Sequence, residues 1–128
     1  MLKPIKKLLE RNAYVVALFL TLLITYLSLS SLSDLPVKIS TSDKILHGFA
    51  YFALSLSWFF AIKNAHFSFK YKIVIALSVI FYGVIIEVFQ EQLTENRMMD
   101  FFDVIANTIG VLIAFSSFNF LLKVYKTI

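Results

Sequence analysis

An all-α integral membrane bundle of four helices with short loops is the fold class this sequence predicts, and three observations carry it. Of the 128 residues, 59% are hydrophobic and 16% charged, whereas a soluble domain runs nearer 45–50% and about 25%. Three stretches, 12–33, 45–62 and 104–122, contain no charged residue, and a helix needs about 20 mostly apolar residues to cross a hydrocarbon core roughly 30 Å thick. Only 3 glycines and 2 prolines interrupt the chain, so few positions oppose long helices. This composition excludes a soluble enzyme, a nucleic-acid-binding module and a disordered tail. With no cysteine, disulfides, thiolate metal sites and cysteine nucleophiles are excluded as well.

The elements follow in order. Residues 12–33 form the first expected span, and their apolar run exceeds the usual 7–15 residues of a cleaved signal segment. The second covers about 44–62. The third, about 72–91, reaches full length only by taking in Glu87 and Gln90. The fourth covers about 101–122. Connections of about ten residues make neighbouring helices antiparallel, and the spans use most of the chain as a single transmembrane domain over 1–128.

Charge sets the orientation. Lys3, Lys6, Lys7 and Arg11, then Lys63, Lys70 and Lys72, then Lys123 and Lys126 fall on one side, with Glu10 the only acid among them. Lys38, Lys44 and Arg97 face seven acids on the other, so the balance is +8 against −4. The excess of Lys and Arg places both termini in the cytoplasm of a multi-pass cell-membrane (inner-membrane) protein.

Ionisable residues inside apolar segments are expensive in a bilayer and mark function by default. Here they gather at the extracytoplasmic helix ends. Asp43 and His47 are four apart, with Lys44 beside them, so they share a helix face. Gly83, Glu87 and Gln90 form a second stripe, and Asp100, Asp103, Asn107 and Gly110 a third. Pointing all three inward builds a polar pocket on the extracytoplasmic side, capped by the loop that carries Arg97.

Structural roles compete with this reading. Ser40-x-x-Asp43 fits a capping box, and Asp100 and Asp103 suit the start of a helix and its dipole. Asn107 can serve as an interhelical amide, and His47 as a hydrogen-bonded core histidine. Glu87 is the sharpest candidate, because a carboxylate near a helix C-terminus is disfavoured by the dipole. An ion pair with Arg97 or Lys44 is the structural account of it. Ala106, Gly110 and Ala114 make a small-residue ridge for close helix approach.

The ordered set Asp43-Lys44-x-x-His47, Glu87-x-x-Gln90, then Arg97 leading to Asp103-x-x-x-Asn107-x-x-Gly110 resembles the VanZ-like membrane protein family. Two positions depart from its pattern: Glu95-Asn96 stand where a Pro-Gly often precedes the arginine, and Ala114 stands where a second glycine is expected. The resemblance implies action at the cell envelope and an association with teicoplanin resistance, without supplying a reaction.

Three functions are weighed. In an enzyme, His47, Glu87 and Asp103 run acid–base chemistry on a lipid-linked or wall-linked envelope substrate, while Asp43, Lys44, Gln90, Arg97, Asp100 and Asn107 bind it, Arg97 by a bidentate grip on phosphate or carboxylate. A binding module would hold an envelope lipid, a peptidoglycan precursor or a lipoglycopeptide without turnover. A small proton-coupled transporter ranks last, because its acid should lie near the midplane. No cofactor is expected: the acids and His47 offer donors to a hard divalent cation, but no zinc-type His spacing is present. The expected partners are the bilayer and that envelope ligand, with no nucleic acid; self-association stays open.

Overall fold

The computed structural model describes residues 2–29, 41–66, 68–93 and 101–127, all but a few of them helical. Five helices follow one another: α1 (Lys3–Arg11), α2 (Ala13–Leu29), α3 (Thr41–His66), α4 (Phe69–Leu93) and α5 (Phe101–Thr127). Three of them hold stretches long and apolar enough to cross a membrane, at Lys44–Lys63, Phe69–Gln90 and Phe101–Thr127. A fourth span exists if α1 and α2, bent 64° from one another, are counted together. Each of α3, α4 and α5 extends a few residues beyond the expected limits, since backbone hydrogen bonding continues past the apolar stretch.

The first expected segment is the one the structure redraws. Its start at Asn12 is a joint between two helices. The Asn12 backbone N–H and its side-chain Nδ2 both donate to the Leu8 carbonyl, at 3.1 and 3.0 Å, and its own carbonyl accepts from Val16 N at 2.9 Å. One residue thus closes α1 and opens α2, and a side-chain bond of this kind competes with an unbroken helix ladder. Helix α1 buries none of its residues. It carries Ile5, Leu8 and Leu9 exposed beside its basic residues, the composition of a helix lying in a membrane interface. Contacts to α3 and α5 tie it to the bundle: Lys63 Nζ pairs with Glu10 at 3.2 Å, Tyr125 OH donates to the Lys6 carbonyl at 3.4 Å, and Lys6 Nζ lies 5.1 Å from the centre of the Tyr125 ring.

Helix α3 is the centre of the assembly, packing on α2, α4 and α5, with its most extensive contact on α5. The core contains Leu54, Phe59, Val111, Ala114 and Phe118, and the Phe59 ring stands 5.4 Å from Phe118 and 6.4 Å from Phe115. Outside it, Phe49, Phe81, Phe101, Phe102 and Phe120 are exposed. So large an outward apolar surface suits lipid rather than water. Lys72, counted above among the cytoplasmic-side cations, is buried, with its ammonium 4.4 Å from the Phe115 ring centre and 6.0 Å from that of Phe59. Aromatic faces attract the cation there.

Helix α2 is held by a polar row across its middle. Trp58 Nε1 donates to Thr21 Oγ1 at 3.0 Å, Tyr82 OH donates to the Thr21 carbonyl at 3.1 Å, and Thr25 Oγ1 shares a hydrogen bond with Tyr82 OH. Thr21→Val is expected to lower stability by about 0.6–1 kcal/mol, the usual worth of such a bond in a membrane bundle. Trp58 is the only tryptophan, so a shift in its emission maximum checks this directly; unchanged emission and an unchanged melting point would contradict it.

Candidate functional site

The site is assembled by one face from each of three helices. On α3, Lys44, His47 and Tyr51 recur at helical spacing, and Ser55 continues the row. Helix α4 ends with Gly83, Glu87 and Gln90, and α5 begins with Asp103 and Asn107. Because α4 runs antiparallel to α3 and α5, its C-terminal turns meet their first turns.

At that end the polar side chains converge. Lys44 Nζ donates a hydrogen bond to Asp103 Oδ1. The same carboxylate oxygen lies 3.4 Å from His47 Nδ1. His47, Glu87 and Asp103 each present a donor atom, and these atoms lie within 4.8 Å of one another. Glu87 is only 2% exposed although it sits inside a membrane helix. Asp103 occupies the first turn of α5, where the helix dipole favours a carboxylate. Glu87 lies nearly two turns before the end of α4, away from any helix N-terminus, so its burial is held by its neighbours and not by its own helix. Among the described residues the cluster brings two carboxylates, one imidazole and one ammonium together.

One turn further in lies a second layer. Tyr51 and Asn107 are both 3% exposed, and both meet Gly83: a methyl placed there would stand 3.0 Å from the Tyr51 ring and 3.4 Å from Asn107 Nδ2. Asn107 Oδ1, Tyr51 OH and Ser55 Oγ are buried without a hydrogen-bond partner among the described residues. Just inward again, Gly110 of α5 lies against the Gly48 backbone of α3. A methyl on Gly110 would fall 3.0 Å from the Gly48 carbonyl carbon and nearer still to its oxygen. This contact draws α3 and α5 together under the site.

Of the residues singled out from sequence, Lys44, His47, Glu87 and Asp103 form the cluster, with Asn107 beneath it. Gln90 flanks it toward α2, donating from Nε2 to the Ser28 carbonyl at 2.7 Å. Asp43 falls in the first turn of α3, but its side chain lies outside the described residues, as do Arg97, Asp100 and the expected capping loop. Two cavities, of about 240 and 360 Å³, lie elsewhere, against the middle of α2–α4 and along α5. Sequence reading missed Tyr51, Ser55 and Gly48. The first two were findable, since they continue the His47 stripe at i+4.

The motif order agrees with the family comparison. A family model described as VanZ/LLP1 matches residues 5–122. The chain belongs to the VanZ/LLP1 family. No curated protein and no solved structure matches the chain. As a VanZ/LLP1 protein with helices of membrane-spanning length it is a multi-pass membrane protein, and the converging cluster is built from the residues that carry the family resemblance.

Proposed function

We propose that this VanZ/LLP1 protein crosses the membrane four times with both termini in the cytoplasm, α1 lying along the inner interface before α2. In this reading the Lys44–His47–Glu87–Asp103 cluster faces the extracytoplasmic side and acts on a cell-envelope lipid or wall precursor, thereby altering susceptibility to teicoplanin. The observation that supports it is the convergence of three ionisable donors from three helices within 4.8 Å at one end of the molecule. Charges at that depth are expensive unless they perform work. Asp103 orients His47 for proton transfer, Glu87 supplies a second carboxylate, and Lys44 provides positive charge for a phosphate or carboxylate on the ligand. A non-catalytic binding role is the second reading. It is favoured by the hydrogen bond from Lys44 to Asp103, which already engages the carboxylate a base would use.

The test is glycopeptide susceptibility of a sensitive Gram-positive host making wild type or Glu87→Gln, with membrane levels quantified. Wild type is expected to raise tolerance to teicoplanin more than to vancomycin. Glu87→Gln should lose that tolerance at normal abundance. Full tolerance in the variant would remove the site from the function.

A further inference from the structure

We propose that His47, Glu87 and Asp103 are the protein ligands of one divalent transition ion, of the zinc or manganese kind. The inference rests on reading this cluster as the functional site. One imidazole and two carboxylates are donors that such ions accept, whereas magnesium and calcium prefer all-oxygen sets. The 3.4 Å between His47 Nδ1 and Asp103 Oδ1 exceeds a usual N–H···O bond. It is close to the edge of a tetrahedron whose metal bonds are about 2.0–2.2 Å. The full set lies within 4.8 Å, so closure needs a movement of at most about 1.4 Å at one carboxylate.

A second observation points the same way. Asn107 Oδ1 sits one turn inward of Asp103, 97% buried by residue, with no hydrogen-bond partner among the described residues. The Asn107 amide is wedged against Gly83, one turn inward of Glu87, so it lies on the floor of the cluster. An orphaned buried oxygen costs about 1–3 kcal/mol, and a metal-held water above it would supply its missing donor. Three protein ligands leave a coordination position open to water or to an oxygen of the envelope ligand.

Lys44 makes the inference sharp. Its ammonium donates to Asp103, so it is a tethered cation competing for the same carboxylate. Removing it should therefore strengthen metal binding, whereas a purely structural ion pair would only weaken the fold.

The full chain, purified in detergent and stripped of metal, would be titrated calorimetrically with zinc chloride and with manganese chloride, using magnesium chloride as control. One equivalent of zinc or manganese per chain is expected. His47→Asn and Glu87→Gln should each weaken binding at least tenfold, while Lys44→Gln should tighten it by about tenfold and lower the metal-free melting point. Circular dichroism establishes that each variant is helical. If Glu87→Gln does not accumulate, His47→Asn carries that comparison. No saturable binding to wild type, binding unchanged in His47→Asn, weaker binding in Lys44→Gln, or equal binding of magnesium each overturns the proposal. Loss of metal binding as an idea, with Glu87→Gln still abolishing glycopeptide tolerance, would leave the proposed function standing without a metal. Metal binding without any change in susceptibility would do the reverse.

Discussion

Gly110→Ala is expected to destabilise the protein by about 3 kcal/mol, the upper end of the range for overpacking, while Gly48→Ala stays within about 0.5 kcal/mol of wild type. Both glycines sit at the same α3–α5 crossing, yet their surroundings differ. A methyl on Gly110 meets backbone, at 3.0 Å from the Gly48 carbonyl carbon and 3.1 Å from Phe52 N, with the Gly48 oxygen nearer still. Backbone cannot rotate aside, so the two helices must separate. A methyl on Gly48 has only the Ala106 carbonyl oxygen nearby, at 3.6 Å, an ordinary contact. Its better helix propensity, up to about 1 kcal/mol over glycine, offsets any residual crowding. Thermal melts of both variants in the same detergent measure the asymmetry. Equal losses would show that the crossing is not set by Gly110. Because the cluster lies directly above this crossing, Gly110→Ala should also depress function.

Asp103→Ala is expected to cost about 2 kcal/mol and to remove function with it. Breaking a buried pair costs about 3–5 kcal/mol because one charge is stranded, whereas exposed pairs are worth under about 1 kcal/mol. This pair lies between those limits: the side chains of Lys44 and Asp103 are 28% and 11% exposed. Asp103→Ala also withdraws a negative charge from the first turn of α5, where it is favoured by the dipole. Asp103→Asn keeps an oxygen acceptor for Lys44 and should lose about half as much. The decisive comparison is a double variant, Lys44→Met with Asp103→Leu, which strands neither charge. It should melt above Asp103→Leu alone and, closed into a cycle with the Lys44→Met and Asp103→Leu single variants, reveal a coupling of about 1–2 kcal/mol. Additive losses would mean that the ammonium and the carboxylate act independently, and the account of the pair would fail.

The apolar stretches and the stripes at i+3 and i+4 were enough to locate α3, α4 and α5 and to place Glu87, Gln90, Asp103 and Asn107 on inward faces. These are local properties: segment length against bilayer thickness, and a 3.6-residue period against an apolar background. Other features left no local trace. The joint at Asn12 depends on one residue bonding the carbonyl four positions back, a choice that an unbroken helix offers equally. Lys72 has the composition of a snorkelling lysine, and only the positions of Phe59 and Phe115 show that it is buried over rings. Ser55 and Tyr51 extend the His47 stripe, but their burial follows from the neighbours that α4 and α5 provide.

Sequence by itself therefore determined the class of molecule, the family and the residues that face one another across the bundle, because hydrophobic length, helical period and motif order are all written along one chain. Tertiary structure alone decided which carboxylate Lys44 engages, that Glu87, His47 and Asp103 come within 4.8 Å, and that Gly48 rather than a side chain fills the space beside Gly110. Those outcomes depend on helix rotation and approach distance, and both are settled only when three separate helices pack together around two glycines.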